Sequence, residues 1–261
     1  MLLFTSFLSM GQVLDMELLK GIKPRNIGPA SGGLWKSTGG GTSWKPIFEK
    51  EKAASIGSIA IYQKSPDIIW VGTGEGNPRN SQSMGNGVYR SLDAGQTWQH
   101  MGLENTRTIH RIFVHPDDPN TVWVGAQGNA SADSPDRGVF KTTDGGKTWK
   151  KVLFVNNRTG IADLTIDPTN PNKLIAGMWE YRRWPWFFKS GGEGSGIYVS
   201  VDGGENWTKR TSDDGLPEGE IGKTAIAIAP SNPEVVYALV ETKKNALYKS
   251  IDGGKKWAKV Q

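Results

Sequence analysis

One twelve-residue pattern recurs five times along this chain and leaves few folds open to it. It stands at residues 33–44 (GLWKSTGGGTSW), 87–98 (GVYRSLDAGQTW), 138–149 (GVFKTTDGGKTW), 196–207 (GIYVSVDGGENW) and 246–257 (ALYKSIDGGKKW). The closing tryptophans, Trp44, Trp98, Trp149, Trp207 and Trp257, follow one another at steps of 54, 51, 58 and 50 residues. A second pattern keeps the same phase at 58–72, 111–125, 163–177 and 225–239, with Pro66, Pro119, Pro171 and Pro233 in register. Two patterns in one phase mark a chain of similar supersecondary units, each too small to bury its apolar face alone.

Each unit reads as four short strands. An alternating apolar run forms strand A, a Pro/Asn/Asp turn follows, and a second apolar run such as residues 121–125 forms strand B. A variable loop leads to strand C (GVYRS and its equivalents), and a tight turn leads to strand D at the tryptophan. Prolines fall in the A–B turns, where no ladder needs their missing N–H. The composition agrees: 34 Gly and 11 Trp in 261 residues suit a turn-rich β structure. The predicted fold is all-β, a β-propeller of four complete four-stranded blades and a half blade.

The C–D turn reads Ser/Thr-x-Asp-x-Gly-x-Thr-Trp. Its carboxylate, at Asp93, Asp144, Asp202 and Asp252, is suited to accept backbone N–H bonds within the turn. The glycines supply positive φ, and the Trp is large enough to fill space between blades. Gly39 replaces the Asp in the first copy. An identical residue in every repeat is a structural device, so these aspartates are read as turn-formers rather than as catalytic or metal-binding groups.

Several function classes are excluded at this level. There is no cysteine, hence no disulfide, thiol catalysis or zinc ribbon. The three histidines do not cluster, and no metal or cofactor is expected. The net charge of +5 is spread along the chain, which speaks against a nucleic-acid partner. No apolar run reaches the length of a membrane span.

The repeats resemble those of the BNR/Asp-box proteins and of the sortilin N-terminal (VPS10)-like propellers. The strings GGLWKS, WVGTGEGNPRNS, RGVFKTTDGGKTW, RRWPW and GSGIY are similar to a bacterial group of large exported proteins with such propellers, often labelled glycosyl hydrolases. The resemblance covers about residues 24–261. It implies an exported scaffold that binds a protein, peptide or glycan; the alternative is a glycoside hydrolase of sialidase or xyloglucanase type. Asp-box folds serve many functions, so any chemistry must come from specific side chains.

Strand direction places the A–B and C–D turns on one face and the B–C and D–A loops on the other. The long B–C loops, at 73–86, 126–137 and 178–195, are therefore where function is sought. The last is the richest. Arg182, Arg183, Trp184 and Trp186, with Arg79 from the first loop, are the ligand-binding candidates, because aromatics beside Arg suit ligand contact. A glycosidase needs two carboxyl groups about 5–9.5 Å apart. Glu75 and Glu180, with Tyr181 as the one tyrosine on this face, are the catalytic candidates.

Residues 1–11 (MLLFTSFLSMG) look like a secretory signal without its basic start, which points to a periplasmic, outer-membrane-associated or extracellular location. Residues 12–30 form a lead-in, and the propeller occupies 31–261, with blades at about 31–49 (half), 55–102, 108–153, 160–210 and 222–260. By the chain's own period, strands A and B of the first blade are absent before Ser31. The expectation is therefore a portion of a larger ring.

Overall fold

The computed structural model describes residues 33–260; the signal-like segment and lead-in expected at 1–30 lie outside them. Four antiparallel sheets follow one another in chain order. The first contains β3 (Ile56–Ile61), β4 (Ile69–Thr73), β5 (Val88–Ser91) and β6 (Gln99–His100). The second contains β7 (Ile109–Val114), β8 (Val122–Ala126), β9 (Gly138–Thr142) and β10 (Lys150–Leu153). The third runs β11 (Thr159–Ile166), β12 (Leu174–Arg183), β14 (Gly196–Ser200) and β15 (Thr208–Lys209), with β13 (Phe188–Ser190) paired to the outer end of β12. The fourth contains β16 (Thr224–Ile228), β17 (Val236–Val240), β18 (Ala246–Ser250) and β19 (Ala258–Lys259). A two-stranded sheet, β1 (Trp35–Lys36) with β2 (Lys45–Pro46), precedes them. The described residues thus form four four-stranded blades and a half blade of all-β structure. Two single 3-10 turns, Glu104–Thr106 and Ser212–Asp214, are their helical content.

In every Asp-box turn the Ser or Thr and the Asp work as a pair. In blade 1, Asp93 Oδ1 accepts from the Ser91 hydroxyl and the Gln96 and Thr97 amides, and Oδ2 accepts from the Thr97 hydroxyl at 2.6 Å. Ser91 Oγ accepts in turn from Gly95 N. The Oδ1 bonds from the Ser or Thr hydroxyl and from the amide four residues on recur at Asp144, Asp202 and Asp252, while Oδ2 accepts from the Thr148 hydroxyl at Asp144 and the Asn206 side-chain amide at Asp202. In the half blade, where Gly39 replaces the acid, Ser37 Oγ still receives the Gly41 amide. The turn is also tied to the A–B turn of its own blade: Ala94, Gly145, Gly203 and Gly253 donate to the carbonyls of Asp67, Asn120, Asn172 and Glu234. Both motifs therefore lie on one face.

Blades meet through a repeated contact. The second glycine of each turn lies on a side chain of the preceding blade: Gly95 on Ile47, Gly146 on Trp70, Gly204 on Trp123 and Gly254 on Ile175. Trp70 and Trp123 are fully buried, and Trp123 Nε1 also donates to Gly203 O across the blade boundary. The Asp-box tryptophans behave less uniformly than their repetition implies. Trp98 and Trp149 donate to the preceding blade, at Ile47 O and Met101 O. Trp44, Trp207 and Trp257 instead donate to the carbonyls of Gly41, Gly204 and Gly254 within their own turns. Nearer the axis, strand B carries Gly72, Gly125 and Gly177, where a Cβ would stand 2.4, 2.7 and 2.9 Å from Ile109, Ile161 and Thr224 of the next blade's strand A. Strand A is linked to strand A by Ile112 N to Ser58 Oγ, Arg111 Nε to Asp163 Oδ1 and Ile226 N to Asp163 Oδ2.

Blade 4 breaks this rule. Leu239 occupies the position of those three glycines, and with Tyr237 it lies exposed on the sheet's outer face. Gly125→Ala should destabilise the protein by about 1–3 kcal/mol through overpacking against Ile161. Leu239→Ala should change stability by less than about 0.5 kcal/mol. Urea unfolding of the two variants measures the contrast.

The turn hydrogen bonds hold Asp93 and Asp202 at about 2, chiefly through Thr97 in the first case and the Asn206 amide in the second. An unfolded aspartate titrates near 4. Each carboxylate therefore contributes its full stabilisation above about pH 4 and loses it as pH falls towards 2. Asp202→Asn should lower the melting temperature at pH 7 and make the loss of stability between about pH 4 and 2 shallower than in the unsubstituted protein.

Candidate functional site

The opposite face carries the B–C and D–A loops, and neighbouring loops are stitched by backbone bonds: Gly74 N to Ser55 O, Gly85 N to Arg107 O and Gln127 N to Thr108 O. Its main relief comes from blade 3. The sequence reading has residues 178–195 as a loop, whereas the structure continues β12 to Arg183 and returns through β13 as a hairpin, pairing Tyr181 with Ser190 and Arg183 with Phe188. Trp184 N donates to Phe187 O and Phe187 N to Trp184 O, closing a two-residue turn over Pro185 and Trp186. The aromatic residues that suggested a ligand loop are also strong strand formers, and the proline sits at the turn, outside the ladder.

Strand alternation then sorts the candidates. Trp179 and Tyr181 share one side of β12. Both are buried, and their rings stack at 4.3 Å. Arg137, wholly buried, covers the far side of Tyr181 at 4.8 Å, and Lys223 Nζ lies 5.2 Å over the Trp179 ring. Arg137 has no carboxylate partner among the described residues; its guanidinium donates to the carbonyls of Gln127, Arg158, Asn129 and Ala132. Burial pushes the Tyr181 phenol up to about 12, against the pull of Arg137, and its hydroxyl donates to Gly128 O. Glu180 faces the other side. It pairs with Arg158 at 3.1 Å, accepts from Gly194 N, and packs so close to Gly192 that a Cβ there would lie 2.4 Å from its carboxyl carbon. Tyr181 and Glu180, neighbours in sequence, therefore serve different places: one is the middle of a buried stack, the other the buried wall of a separate cavity of about 620 Å³.

Glu75 is also engaged. Its Oε1 accepts from Arg79 Nε at 2.6 Å and its Oε2 from Ser83 N, so it organises its own loop; the Arg79 bond holds it below the usual carboxylate range.

The arginines and tryptophans divide into two places. Arg182 pairs with Asp133 at 2.8 Å and lies over Trp184, at the hairpin's tip. Trp186 is 82% exposed there, and the cavities lined by Glu180, Lys223 or Glu241 do not include Trp184 or Trp186. Arg183 points inwards. Its Nε donates to Pro78 O of the blade 1 loop, its amide donates to Ala130 O of the blade 2 loop, and its guanidinium lies over Phe188. One hairpin therefore joins the loops of three blades.

Beside that junction lies a shallow, open groove of about 340 Å³ lined by Pro78, Arg79, Trp179, Arg183, Phe188, Lys223 and Glu241. A second cavity of about 340 Å³ shares Lys223 and Glu241 and is completed by His110, Arg111, Asp163 and Leu239. Glu241 Oε2 accepts from Ser190 Oγ and Lys223 N, while Ser190 Oγ accepts from Trp179 Nε1. Burial, reinforced by Arg111 and Lys223, lowers His110 to about 4, so its imidazole is neutral at pH 7. Lys223, Glu241 and Asp163 have no sequence signal as a site; they join Arg111, at the start of strand A of blade 2, from two further blades. Among the described residues no group of His, Cys, Asp and Glu is arranged to hold a metal, and no helix is long and apolar enough to cross a membrane.

Comparison with known proteins places this architecture. A xyloglucanase of Paenibacillus sp is 25% identical over 238 residues, covering 79% of this chain and 21% of its own length. The xyloglucanase of Hypocrea jecorina is 23% identical over 77% of this chain and 25% of its own. The photosystem II assembly lipoprotein Ycf48 of Picosynechococcus sp. is 29% identical over 71% of this chain and 45% of its own. The chain thus spans about a fifth to a quarter of the curated xyloglucanases it matches. Among solved structures, an ancestral GH74 enzyme superposes with a TM-score of 0.64 at 21% identity, covering 89% of this chain and 28% of that one. The Niastella koreensis GH74 enzyme gives 0.56 at 17% identity, with 88% and 34% coverage; at these identities the likeness is one of fold. The BNR/Asp-box repeat model matches residues 198–209. The model described as "Sortilin, neurotensin receptor 3" matches residues 32–153 and 86–191, together more than half of the sequence, and the chain belongs to that sortilin (VPS10) family of Asp-box propeller proteins.

Proposed function

We propose that this chain is a binding propeller, exported from the cell, that holds a protein, peptide or glycan ligand on its loop face. The observation that carries this reading is the groove built where the blade 3 hairpin meets the blade 1 and blade 2 loops. Arg79 and Arg183 line it, and the half-buried Arg182 and Trp184 lie beyond it with the exposed Trp186. A ready-made concavity lined by arginine and aromatic side chains suits recognition. The carboxylates that hydrolysis would call on are already engaged, Glu75 with Arg79 and Glu180 with Arg158.

Glycoside hydrolysis is the second reading. It is favoured by the xyloglucanases that align with more than three quarters of this chain. The two readings separate in a simple pair of assays. Purified protein should release no reducing ends from xyloglucan, and a glycan and peptide screen should return a ligand. Truncating an anchor residue at such a site costs upwards of about 1 kcal/mol. Arg183→Ala should therefore weaken that ligand about tenfold, with Trp186→Ala at the rim having a smaller effect and leaving the melting temperature unchanged. Release of reducing ends that Glu180→Gln abolishes would establish the hydrolase reading instead.

A further inference from the structure

The groove has an excess of unused hydrogen-bond donors, and its aromatic faces are covered. Lys223 Nζ makes no hydrogen bond or ion pair among the described residues; it rests over Trp179 with Arg111 as a neighbouring like charge. Arg183 and Arg79 each use only Nε, for Pro78 O and Glu75, and Arg111 keeps one amino group free beyond its bonds to Asp163 and His110 O. On the acceptor side, Asp163 is filled by Arg111 Nε and the Leu164 and Ile226 amides. Glu241 Oε2 takes two donors, which leaves Glu241 Oε1 as the one carboxylate oxygen of the two cavities without a bond among the described residues. Four cations with donors to spare face one free carboxylate oxygen.

A sugar ring recognised by stacking needs an open aromatic face. The groove does not supply a large one: Trp179 is covered by Tyr181 on one side and Lys223 on the other, and Phe188 lies under Arg183. Extended polypeptide bearing carboxylate side chains needs none; it needs charged donors at separated points along a groove.

Resting on the binding reading above, the geometry points to an acidic peptide as the ligand of this groove: an extended segment of a partner protein whose Asp or Glu side chains are received by Lys223, with Arg183 and Arg79 to one side and Arg111 to the other. Lys223 is the central contact because it belongs to both cavities. Its half-buried ammonium sits beside Arg111 as well as Asp163 and Glu241, and an incoming carboxylate offsets the Arg111 repulsion further.

The test is fluorescence anisotropy of the full chain with four labelled probes: an Asp/Glu-rich peptide, the same peptide with Asn/Gln, oligogalacturonate, and a neutral xyloglucan oligosaccharide. The acidic peptide should bind, lose affinity steeply between 50 and 300 mM salt (on the order of the Debye screening range), and bind at least tenfold more weakly to Lys223→Met. That variant keeps the aliphatic stem over Trp179, and its melting temperature serves as the folding control. Equal binding of the Asn/Gln peptide, or an unchanged affinity in a folded Lys223→Met protein, overturns the proposal. Binding of either oligosaccharide without the acidic peptide overturns it too, while leaving the binding reading intact. If none of the four probes binds, the binding reading itself fails along with it.

Discussion

The contact on which the structure depends is small: a glycine in the Asp-box turn of one blade resting on a side chain of the blade before it. Gly146 shows why it must be glycine. Its φ is +89°, and a Cβ there would stand 3.0 Å from the Trp70 ring. The carboxylate and hydroxyl bonds of the turn fix where that glycine projects, and the bond to the A–B turn fixes the turn to its own sheet. Local turn chemistry thus sets the distance from blade to blade. The axial glycines Gly72, Gly125 and Gly177 then let the next strand A approach closely enough to bond across at Ser58 and Asp163.

Much of this was legible in the sequence because it repeats. The turn, the A–B prolines and the four-strand unit recur at one period, so each copy supports the reading of the others. The loop face obeys no period. The 178–195 segment read as a loop because Pro185 and a run of aromatics hid an alternation, Trp179 and Tyr181 against Glu180 and Arg182, that places successive side chains on opposite sides. Reading that alternation would have separated Tyr181 from Glu180 at once. Lys223, Glu241 and Asp163 were beyond reach for a different reason: they are distant in sequence and meet Arg111 only because the blade spacing brings three strands together. The Asp-box tryptophans show the limit of repetition itself, since identical residues bond to the preceding blade at Trp98 and Trp149 and to their own turns at Trp207 and Trp257.

The column Arg137, Tyr181, Trp179, Lys223 links the scaffold to the groove. A stacked aromatic pair presents negative faces at both ends, and a cation over each end is the arrangement that favours it. The inner cation is buried and held by four carbonyls; the outer one sits in the groove, short of acceptors. The same column that anchors the hairpin therefore positions an ammonium with no hydrogen-bond acceptor among the described residues beside the groove. Family membership fixes the propeller, and proteins similar in sequence carry names as different as xyloglucanase and assembly lipoprotein.

That face works as one surface only if the blade 3 hairpin holds the blade 1 loop through Arg183 and the Pro78 carbonyl. Hydrogen exchange of the backbone amides in the unsubstituted protein and in Arg183→Ala tests this directly. The account predicts faster exchange in residues 73–86 of the variant, with β3 and β4 of the same blade unchanged. Equal protection of residues 73–86 in the two proteins would contradict it, because the loop would then be held without Arg183, by its own bonds and by Gly85 N to Arg107 O.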